Sequence, residues 1–298
     1  MQVIHLENEK PTIQNTSLLL GDFDGVHLGH QSLVKKAKEF EEPIGALLFD
    51  VDPVFFLDNG KTKKVLSSLE ERIELLSSYG VEIFYVIHTT KEFLSLSPED
   101  FMKDVLLPLK PARLIVGSDY RFGKRAQGDA ETLKNLFEVE VVSLLQDNGS
   151  KIASRDIKTK IEEGDIEKAT SLLGHPFQIT GIVQEGFHNG RKIGFPTINL
   201  ALEVPYVLPR SGVYLSKVTL EGKTYSAITN VGTNPTVGEL LEPIVESHLD
   251  GFEGESYGKE ASILFYAYLR EETKFASLED LGLQLEKDMA SLRSFAFK

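Results

Sequence analysis

The first half of the chain alternates short apolar runs with segments of helical periodicity. The apolar runs are short enough to be buried strands and lie at residues 17–20, 44–49, 81–87, 113–116 and 139–144. Helical patterns lie at residues 29–40, 69–80 and 131–137. Ser97-Pro98-Glu99-Asp100 predicts a further helix start, with a Ser cap, Pro at the first position and acids in the first turn. This alternation predicts an α/β domain whose parallel sheet is covered by helices on both faces.

The second half changes to short segments that alternate apolar and polar residues. Residues 213–220 and 224–228 flank Glu221-Gly222 as in a β-hairpin, and residues 244–249 and 261–269 are further strands. An amphipathic helix follows near the end of the sequence. This pattern predicts a small antiparallel barrel with a C-terminal helix. With 298 residues the chain is long enough for two domains, which we place at residues 1–174 and 175–298.

Composition narrows the classes of function. The net charge is −13, from 45 acidic and 32 basic residues, which argues against a nucleic-acid partner. The sequence has no cysteine, so thiolate metal sites and thiol nucleophiles are excluded. It also has no apolar run long enough for a membrane span and no signal-peptide pattern at its start. We therefore expect a cytoplasmic enzyme that acts on small molecules. The sequence does not indicate whether it has protein partners.

A glycine-rich turn with two histidines follows the strand at residues 17–20. Its sequence is Gly21-Asp22-Phe23-Asp24-Gly25-Val26-His27-Leu28-Gly29-His30. His27 and His30 can share one face at a helix start, where free N–H groups favour an anion, and Gly29 lets a ligand approach the backbone. Such a site suits the phosphates of a nucleoside triphosphate during nucleotidyl transfer. The alternative is that the two histidines bind zinc or simply lie on the surface. Their position at a strand-to-helix turn favours the phosphate site over this alternative.

A second phosphate site is indicated by residues 190–199, Gly-Arg-Lys-Ile-Gly-Phe-Pro-Thr-Ile-Asn. Thr197 and Asn199 are two residues apart, so in an extended segment their side chains point to one side. There they could hold Mg²⁺, which prefers oxygen ligands, together with ATP. The alternative is a Gly/Pro-rich turn that leads into a strand.

Two stretches of the first half resemble a known family. Residues 27–30 resemble the H-x-G-H signature of nucleotidylyltransferases, and with the FDGVH sequence of residues 23–27 they are similar to the FMN adenylyltransferase module of bacterial bifunctional riboflavin kinase/FAD synthetases. Residues 116–124, followed by Gly128, resemble the G-x-D/N-F-x-F-G-K segment of that family. The resemblance implies a Rossmann-like domain with His27 and His30 as catalytic residues. It also implies nucleotide or phosphate contacts at Gly21, Asp22, Phe23, Gly25, Gly29, Asp119, Arg121 and Lys124.

Two other N-terminal segments depart from the family pattern. Residues 48–53, Leu-Phe-Asp-Val-Asp-Pro, stand where the family carries T-F-D-P-H-P. Residues 153–158 stand at an S-S-T-x-I-R motif that contacts ATP phosphates; Ser154 is retained, whereas Arg155 and Lys158 replace Thr and Arg. Lysine does not provide the planar fork of arginine, and Asp156 adds a negative charge. These changes predict that adenylylation is slower than phosphorylation.

The second half resembles riboflavin kinases along its length. The matching motifs are G-R-x-x-G-F-P-T-x-N at 190–199, G-V-Y at 212–214, N-x-G-x-x-P-T at 230–236, V-E-x-H at 245–248 and the charged segment at 269–275. His175 is a departure, since the family usually has Arg at the domain junction. The resemblance implies that Glu246 is the catalytic base and that Arg270 and Glu271 begin a segment that covers the flavin. It implies contacts to MgATP from Gly190, Arg191, Gly194, Pro196, Thr197 and Asn199.

Three interpretations of the whole chain remain open at this point. The first is a bifunctional enzyme that uses ATP to convert riboflavin to FMN and FMN to FAD. The second is a riboflavin kinase whose N-terminal domain adenylylates weakly or not at all. The third makes the N-terminal domain a binding or scaffolding module that uses its nucleotide pocket without turnover. If the surrounding motifs are set aside, Glu246 could simply be an exposed acid on a strand. Residues 270–274 could likewise be a run of charged residues in contact with solvent.

Overall fold

The computed structural model describes residues 1–7, 13–51, 64–185, 195–235 and 241–297. Its contacts divide the chain into two compact units, and each is described by itself. The first comprises Met1–Lys63 and Ser67–Ser154, and the second comprises Lys64–Leu66 and Arg155–Lys298. Residues 155–174, which the sequence assigned to the N-terminal domain, therefore pack with the second unit.

The first unit contains a parallel sheet, as predicted. Its strands are β1 (Gln2–His5), β2 (Ser17–Leu20), β3 (Ile44–Phe49), β4 (Ile83–Ile87), β5 (Arg113–Gly117) and β6 (Val139–Val142). The order across the sheet is β1-β4-β3-β2-β5-β6, and every pair is parallel. The order reverses between β2 and β5, so the crevice at the carboxyl ends of these strands is where this architecture binds ligands.

Helices cover both faces of this sheet. They are α1 (Leu28–Ala37), α2 (Leu69–Ser78), α3 (Pro98–Asp100), a π-helical turn (Phe101–Leu106), α4 (Leu107–Leu109) and α5 (Ala130–Leu133), with 3₁₀ turns at Phe93–Ser95 and Lys124–Ala126. Ser97 caps α3 by accepting a hydrogen bond from the Asp100 amide, so the predicted helix start is confirmed. A short hairpin of β7 (Gln146–Asp147) and β8 (Ser150–Lys151) follows β6.

The second unit is built around a closed six-stranded antiparallel barrel. Its elements are α6 (Ser154–Glu163), α7 (Ile166–Leu173), β9 (Phe177–Gln184), β10 (Thr197–Ala201), β11 (Gly212–Leu220), β12 (Lys223–Pro235), β13 (Leu241–Leu249), β14 (Glu260–Arg270) and α8 (Leu278–Ser294). The strand order is β10-β13-β12-β11-β14-β9. α7 packs against β9 and β14, which explains why the residues before 175 belong to this unit.

The predicted hairpin joins β11 and β12. Glu221 and Gly222 have φ values of 49° and 77°, as a type I′ turn requires. On the face of β11, β12 and β14 opposite the barrel interior, apolar side chains are buried against α8. Barrel and C-terminal helix are therefore confirmed. Among the helices in the described residues, none is long and apolar enough to cross a membrane.

Candidate active sites

A cavity of about 860 Å³ lies in the first unit, at the carboxyl ends of β2, β3, β5 and β6. This volume is in the range of small-molecule and cofactor sites. Most of the N-terminal residues predicted from the sequence line it: Gly21, Asp22, His27, Gly29, His30, Asp119, Arg121, Lys124 and Ser154. Phe23 and Gly25 are buried and are not part of the lining. The structure thus brings together two segments that are far apart in the sequence.

The loop between β2 and α1 is held by residues at the start of α2. The amide of Gly25 donates to Ser67 Oγ at 2.8 Å, and the amide of Ser67 donates to Asp24 Oδ1 at 3.2 Å. Arg72, which is 5% exposed, donates through Nη1 to the carbonyl of Asp22 at 3.3 Å. These long-range bonds fix the loop to the start of α2. Sequence reasoning missed them because no local pattern links residues 21–30 to residues 67–72.

The two histidines of the loop form a stacked pair. The ring centroids of His27 and His30 are 3.7 Å apart with an interplanar angle of 20°. Phe23, which is fully buried, packs under His30 with a centroid distance of 5.1 Å. Within the described residues, Nδ1 of each histidine is buried without a hydrogen-bond partner. Because both rings line the cavity, Nε2 is the ring nitrogen left to meet a ligand.

Burial keeps this histidine pair neutral. It lowers the pKa of His27 to about 4, against which the charges of Asp24 and Asp119 act. Burial also lowers the pKa of His30 well below its usual value, and the neighbouring His27 and Arg72 lower it further. At neutral pH both rings are therefore uncharged hydrogen-bond donors or acceptors. A neutral Nε2–H can donate to a phosphate oxygen without a proton having to be taken up first.

The structure gives a steric reason for glycine at position 29, beside the predicted one, which stays a prediction. A Cβ at this position would lie 2.9 Å from Cε1 and 3.0 Å from Nδ1 of His27. Real Cβ contacts are longer than this, so any larger residue would displace the imidazole. The glycine therefore makes room for the histidine ring, in addition to any approach of a ligand to the backbone.

The charge of the cavity lining is opposite in sign to the net charge of the chain. Its basic lining residues are Lys91, Arg121, Lys124, Arg125 and Lys151. The acidic residues among those lining it are Asp22 and Asp119. A chain of net charge −13 thus has a predominantly cationic cavity next to neutral imidazoles. This arrangement favours a ligand with several negative charges, such as a nucleoside triphosphate.

Aromatic residues form another part of the cavity wall. Phe93 and Phe101 have a centroid distance of 6.0 Å, Phe101 and Phe122 one of 5.3 Å, and Tyr120 stacks on Phe122 at 5.8 Å. All four line the cavity, and burial raises the pKa of Tyr120. A planar ring system can bind against such a wall. Phe93 and Phe101 were not predicted, because their sequence spacing is the same as that of ordinary core residues.

Asp50 is the acid that the segment at residues 48–53 retains from the family motif, and it is held by neighbouring groups. Asp50 accepts hydrogen bonds from the amides of Val51 and Thr89, at 2.7 and 2.8 Å, and its Oδ2 lies 2.6 Å from Nδ1 of His88. Asp50 thus links the ends of β3 and β4, and its carboxylate raises the pKa of His88. Asp52 and Pro53 lie outside the described residues.

The later motif, at residues 153–158, is divided between the two units. The hydroxyl of Ser154 donates to the carbonyl of Asp24 at 3.0 Å, so its one proton is already engaged. Arg155, Asp156 and Lys158 belong to the second unit, and the first two are exposed. Ser154 therefore supports the phosphate loop in this structure, and its predicted contact with phosphate stays a prediction.

The second unit carries a row of polar side chains across three strands. Asn199 on β10 is the cross-strand partner of Glu246 on β13, and Glu246 is the partner of Asn230 on β12. Directly paired residues lie on the same face of a sheet. The hydroxyl of Thr197 donates to Oε1 of Glu246. The structure therefore brings Thr197, Asn199 and Glu246 together, whereas Gly190, Arg191 and Gly194 lie outside the described residues.

Asn230 and His248, which were not among the predicted site residues, complete this row. Nδ2 of Asn230 donates to Oε1 of Glu272 at 2.9 Å. Within the described residues, Oδ1 of Asn230 is buried without a hydrogen-bond partner. Nδ1 of His248 is 2.8 Å from the carbonyl oxygen of Pro196 and fixes the chain at the start of β10. The signal for both was their place in the riboflavin kinase motifs.

The oxygen donors of this row fit a hard cation. Thr197, Asn199 and Glu246 offer a hydroxyl, an amide and a carboxylate, which are ligand types that Mg²⁺ accepts. In the described part of the chain no cluster of three His, Cys, Asp or Glu side chains is placed to hold a metal. Mg²⁺ commonly keeps several waters and binds through one or two protein groups together with substrate phosphates, so these few oxygen donors suit an ion that arrives with ATP.

Arg270 makes a bidentate ion pair with the C-terminal helix. Its Nε donates to Oδ1 of Asp288 at 3.0 Å and its Nη2 to Oδ2 at 2.7 Å. Asp288 is 2% exposed and also accepts a hydrogen bond from Gln284. Glu271, the other residue predicted to contact flavin, is exposed. Arg270 thus ties the end of β14 to α8, and its role toward flavin stays a prediction.

We expect Arg270→Ala to lower the free energy of unfolding by about 3 kcal/mol, because it leaves the buried carboxylate of Asp288 without its partner. Chemical denaturation of the full chain measures the change. The double variant Arg270→Ala/Asp288→Asn is the control and should recover part of the loss. Unchanged stability of Arg270→Ala, together with a raised KM for riboflavin, would show that Arg270 acts mainly on the flavin.

The two units define a class of protein. An open parallel sheet with a phosphate-type loop at its switch point is joined in one chain to an antiparallel barrel with a row of Thr, Asn and Glu side chains. The FAD synthetase family model matches residues 9–156, and the riboflavin kinase family model matches residues 173–296. The chain belongs to the family of bifunctional riboflavin kinases/FMN adenylyltransferases.

Relatives and a solved structure match nearly the whole chain. The bifunctional riboflavin kinase/FMN adenylyltransferase of Listeria monocytogenes is 37% identical over 100% of this chain and 99% of its own length. The protein of the same name from Bacillus subtilis is 35% identical over 97% of this chain and 96% of its own length. A crystal structure from Streptococcus pneumoniae, described as a macrolide-efflux protein, is 30% identical and superposes with a TM-score of 0.89 over 99% of both chains.

Proposed function

We propose that this chain catalyses two successive reactions of flavin synthesis. In the first, ATP and riboflavin give FMN and ADP; in the second, ATP and FMN give FAD and diphosphate. The observation that carries the proposal is that each unit has its own arrangement for phosphate chemistry. The first unit has a neutral histidine pair in a cationic cavity, and the second has Glu246 in a row of oxygen donors.

Adenylylation is assigned to the first unit. An oxygen of the FMN phosphate attacks the α-phosphorus of ATP, a new P–O bond forms, and the bond to the leaving diphosphate breaks. Negative charge on the α-phosphate is stabilised by Nε2–H donors of His27 and His30, and no protein nucleophile is needed. Arg121, Lys124 and the cavity backbone bind the remaining phosphates, and the aromatic wall binds a planar ring.

Phosphorylation is assigned to the second unit. Glu246 takes the proton of the riboflavin 5′-hydroxyl while that oxygen attacks the γ-phosphorus of ATP and ADP leaves. Glu246 accepts a hydrogen bond from the hydroxyl of Thr197, which keeps the carboxylate oriented. Thr197 and Asn199 would hold Mg²⁺, which neutralises charge on the phosphates when bound. We assign the remaining ATP contacts to Gly190, Arg191, Gly194 and Pro196, and flavin contacts to Arg270 and Glu271.

The functional domains are proposed at residues 1–174 and 175–298. The two family matches, which end at residue 156 and begin at residue 173, support a division in this stretch.

The partners proposed are riboflavin, FMN and ATP, and the net charge of −13 supports the absence of a nucleic-acid partner. We propose the cytoplasm as the location, because both reactions consume ATP, and we propose no membrane association.

A kinase with an inactive N-terminal module is the second candidate. It is favoured by the engaged proton of Ser154 and by the altered residues at positions 155 and 158. Product analysis separates the two candidates. The full chain is incubated with riboflavin and MgATP, and the flavins are separated and quantified over time. Formation of FAD after FMN supports the bifunctional enzyme, and accumulation of FMN alone supports the kinase.

A further inference from the structure

We propose that Lys151 is a further phosphate-binding residue of the adenylylation cavity, which exchanges its ion pair with Asp119 for the triphosphate when ATP binds. The inference rests on the proposed adenylyltransferase function and names a cation that none of the sequence motifs includes. Lys151 is the last residue of β8, just before the segment that replaces the S-S-T-x-I-R motif.

The first observation is an ion pair in the lining of the cavity. Nζ of Lys151 lies 2.8 Å from Oδ2 of Asp119, and both residues line the cavity. Asp119 follows β5, whereas Lys151 lies on the hairpin after β6, so the pair joins two separate segments of the lining. The side chains are 52% and 48% exposed. An ion pair with this exposure contributes little stability, and it can be exchanged for a more highly charged partner.

The second observation is that the backbone next to Lys151 lies close to the position of His27. The carbonyl oxygen of Ile152, the residue after Lys151, is 3.8 Å from the position that a Cβ on Gly29 would occupy. His27 stands beside the same position. The charges of both Asp119 and Lys151 also act on His27, raising and lowering its pKa respectively. A phosphate bound at Nε2 of His27 is therefore within the electrostatic reach of the Lys151 ammonium.

The third observation concerns the other side chains that the sequence motifs predict to bind the phosphates. The proton of Ser154 is engaged by the Asp24 carbonyl. Arg121 pairs with Asp129 at 3.0 Å, and Asp129 is itself fixed by the amide of Thr132, which donates to its Oδ1 at 2.9 Å. Lys151 has a flexible ammonium whose ion-pair partner among the described residues is the exposed carboxylate of Asp119. It therefore supplies the point charge that a triphosphate requires beside the histidine pair.

The substitution Lys151→Met tests the inference in the full chain. We expect kcat/KM for MgATP in adenylylation to fall by roughly 10- to 100-fold, as for loss of a charge-assisted phosphate contact. Lys151→Arg should restore most of it, and riboflavin phosphorylation should be unchanged in both. The matched control is Lys134→Met, which removes an ion pair of similar exposure with Glu131 in the same unit, outside the cavity lining. It should leave both activities unchanged.

A double-mutant cycle tests the role of Asp119 as the resting partner. Asp119→Asn, which keeps the shape and removes the charge, should lower the KM for MgATP when Lys151 is present. In the Lys151→Met background the same substitution should lower the KM less, because it then removes only the repulsion between Asp119 and the triphosphate and no ion pair has to be broken. Equal effects of Asp119→Asn in the two backgrounds would overturn the proposed exchange.

Equilibrium binding of MgATP separates failure of this inference from failure of the proposed function. The unmodified chain should bind at two sites, and Lys151→Met should weaken one of them by roughly 10-fold or more. Unchanged binding and unchanged adenylylation in Lys151→Met would contradict the inference while leaving the function intact. Suppose instead that the unmodified chain makes no FAD but that Lys151→Met still weakens MgATP binding at one of the two sites. That result would contradict the proposed function and leave the phosphate contact standing.

Discussion

Glu246→Gln is expected to lower riboflavin phosphorylation by roughly 100-fold or more, as for the loss of a general base. The amide preserves the size of the side chain and can still pair with Thr197, so the barrel should remain folded. It cannot take the proton of the 5′-hydroxyl, and turnover should fall while the KM for riboflavin changes little. Adenylylation of added FMN should continue at the rate of the unmodified chain.

Initial rates of FMN formation and of FAD formation from FMN, measured on one preparation, check this result. Glu260→Gln is the matched control, because Glu260 is an exposed acid on strand β14 of the same barrel. It should leave both rates unchanged. Normal phosphorylation by a folded Glu246→Gln variant would remove Glu246 from the role of base and leave it as a strand residue that orients Thr197.

His27→Ala is expected to lower adenylylation by roughly 100- to 1,000-fold, the usual effect of removing a preorganised donor from a site of developing charge. The stacked partner His30 would also lose its support, because the two rings are only 3.7 Å apart. Riboflavin phosphorylation should be unaffected. His5→Ala, at an exposed position on β1, is the control and should alter neither rate. Loss of both activities in His27→Ala would indicate misfolding and not a specific role.

The pH dependence follows from the low pKa of His27, which is about 4 in the folded chain against the ordinary value of 6.5. The ring stays neutral between about pH 6 and pH 8, so it should add no inflection to the adenylylation profile in that range. Because the folded-state pKa is lowered, the stability that His27 contributes is present above the unfolded pKa and is lost as the pH falls toward the folded value. A midpoint near 6.5 that disappears in His27→Ala would contradict the neutral ring.

The fold could be predicted largely from local patterns. Strands β2 to β6 and the α8 helix follow from apolar runs and periodicity, and the Glu221-Gly222 turn has the positive φ values that its hairpin needs. Strand β1 was not predicted, because Gln2–His5 is a short edge strand with one buried residue. The contacts divide the chain at residues 154 and 155, and this division was not predicted, since the packing of α7 on β9 and β14 has no local signal. The functional boundary after residue 174 stays a prediction.

The candidate site residues were named from motifs that are continuous in the sequence. They include the histidine pair, the segment at Asp119, Thr197 and Glu246, and their roles stay predictions. The hydrogen bond between Thr197 and Glu246 was not predicted. Lys151 and the supporting bonds from Ser67 and Arg72 were not, because they depend on segments that meet only in the folded unit. The predicted slowness of adenylylation relative to phosphorylation stays a prediction.

A time course of flavin products with the full chain, riboflavin and excess MgATP tests the central claim most directly. The account predicts that FMN rises first and that FAD then forms from it, and that FMN supplied in place of riboflavin also gives FAD. If adenylylation is the slower step, FMN should accumulate transiently. Accumulation of FMN with no FAD from either substrate would contradict the assignment of adenylyl transfer to the histidine pair and leave a riboflavin kinase alone.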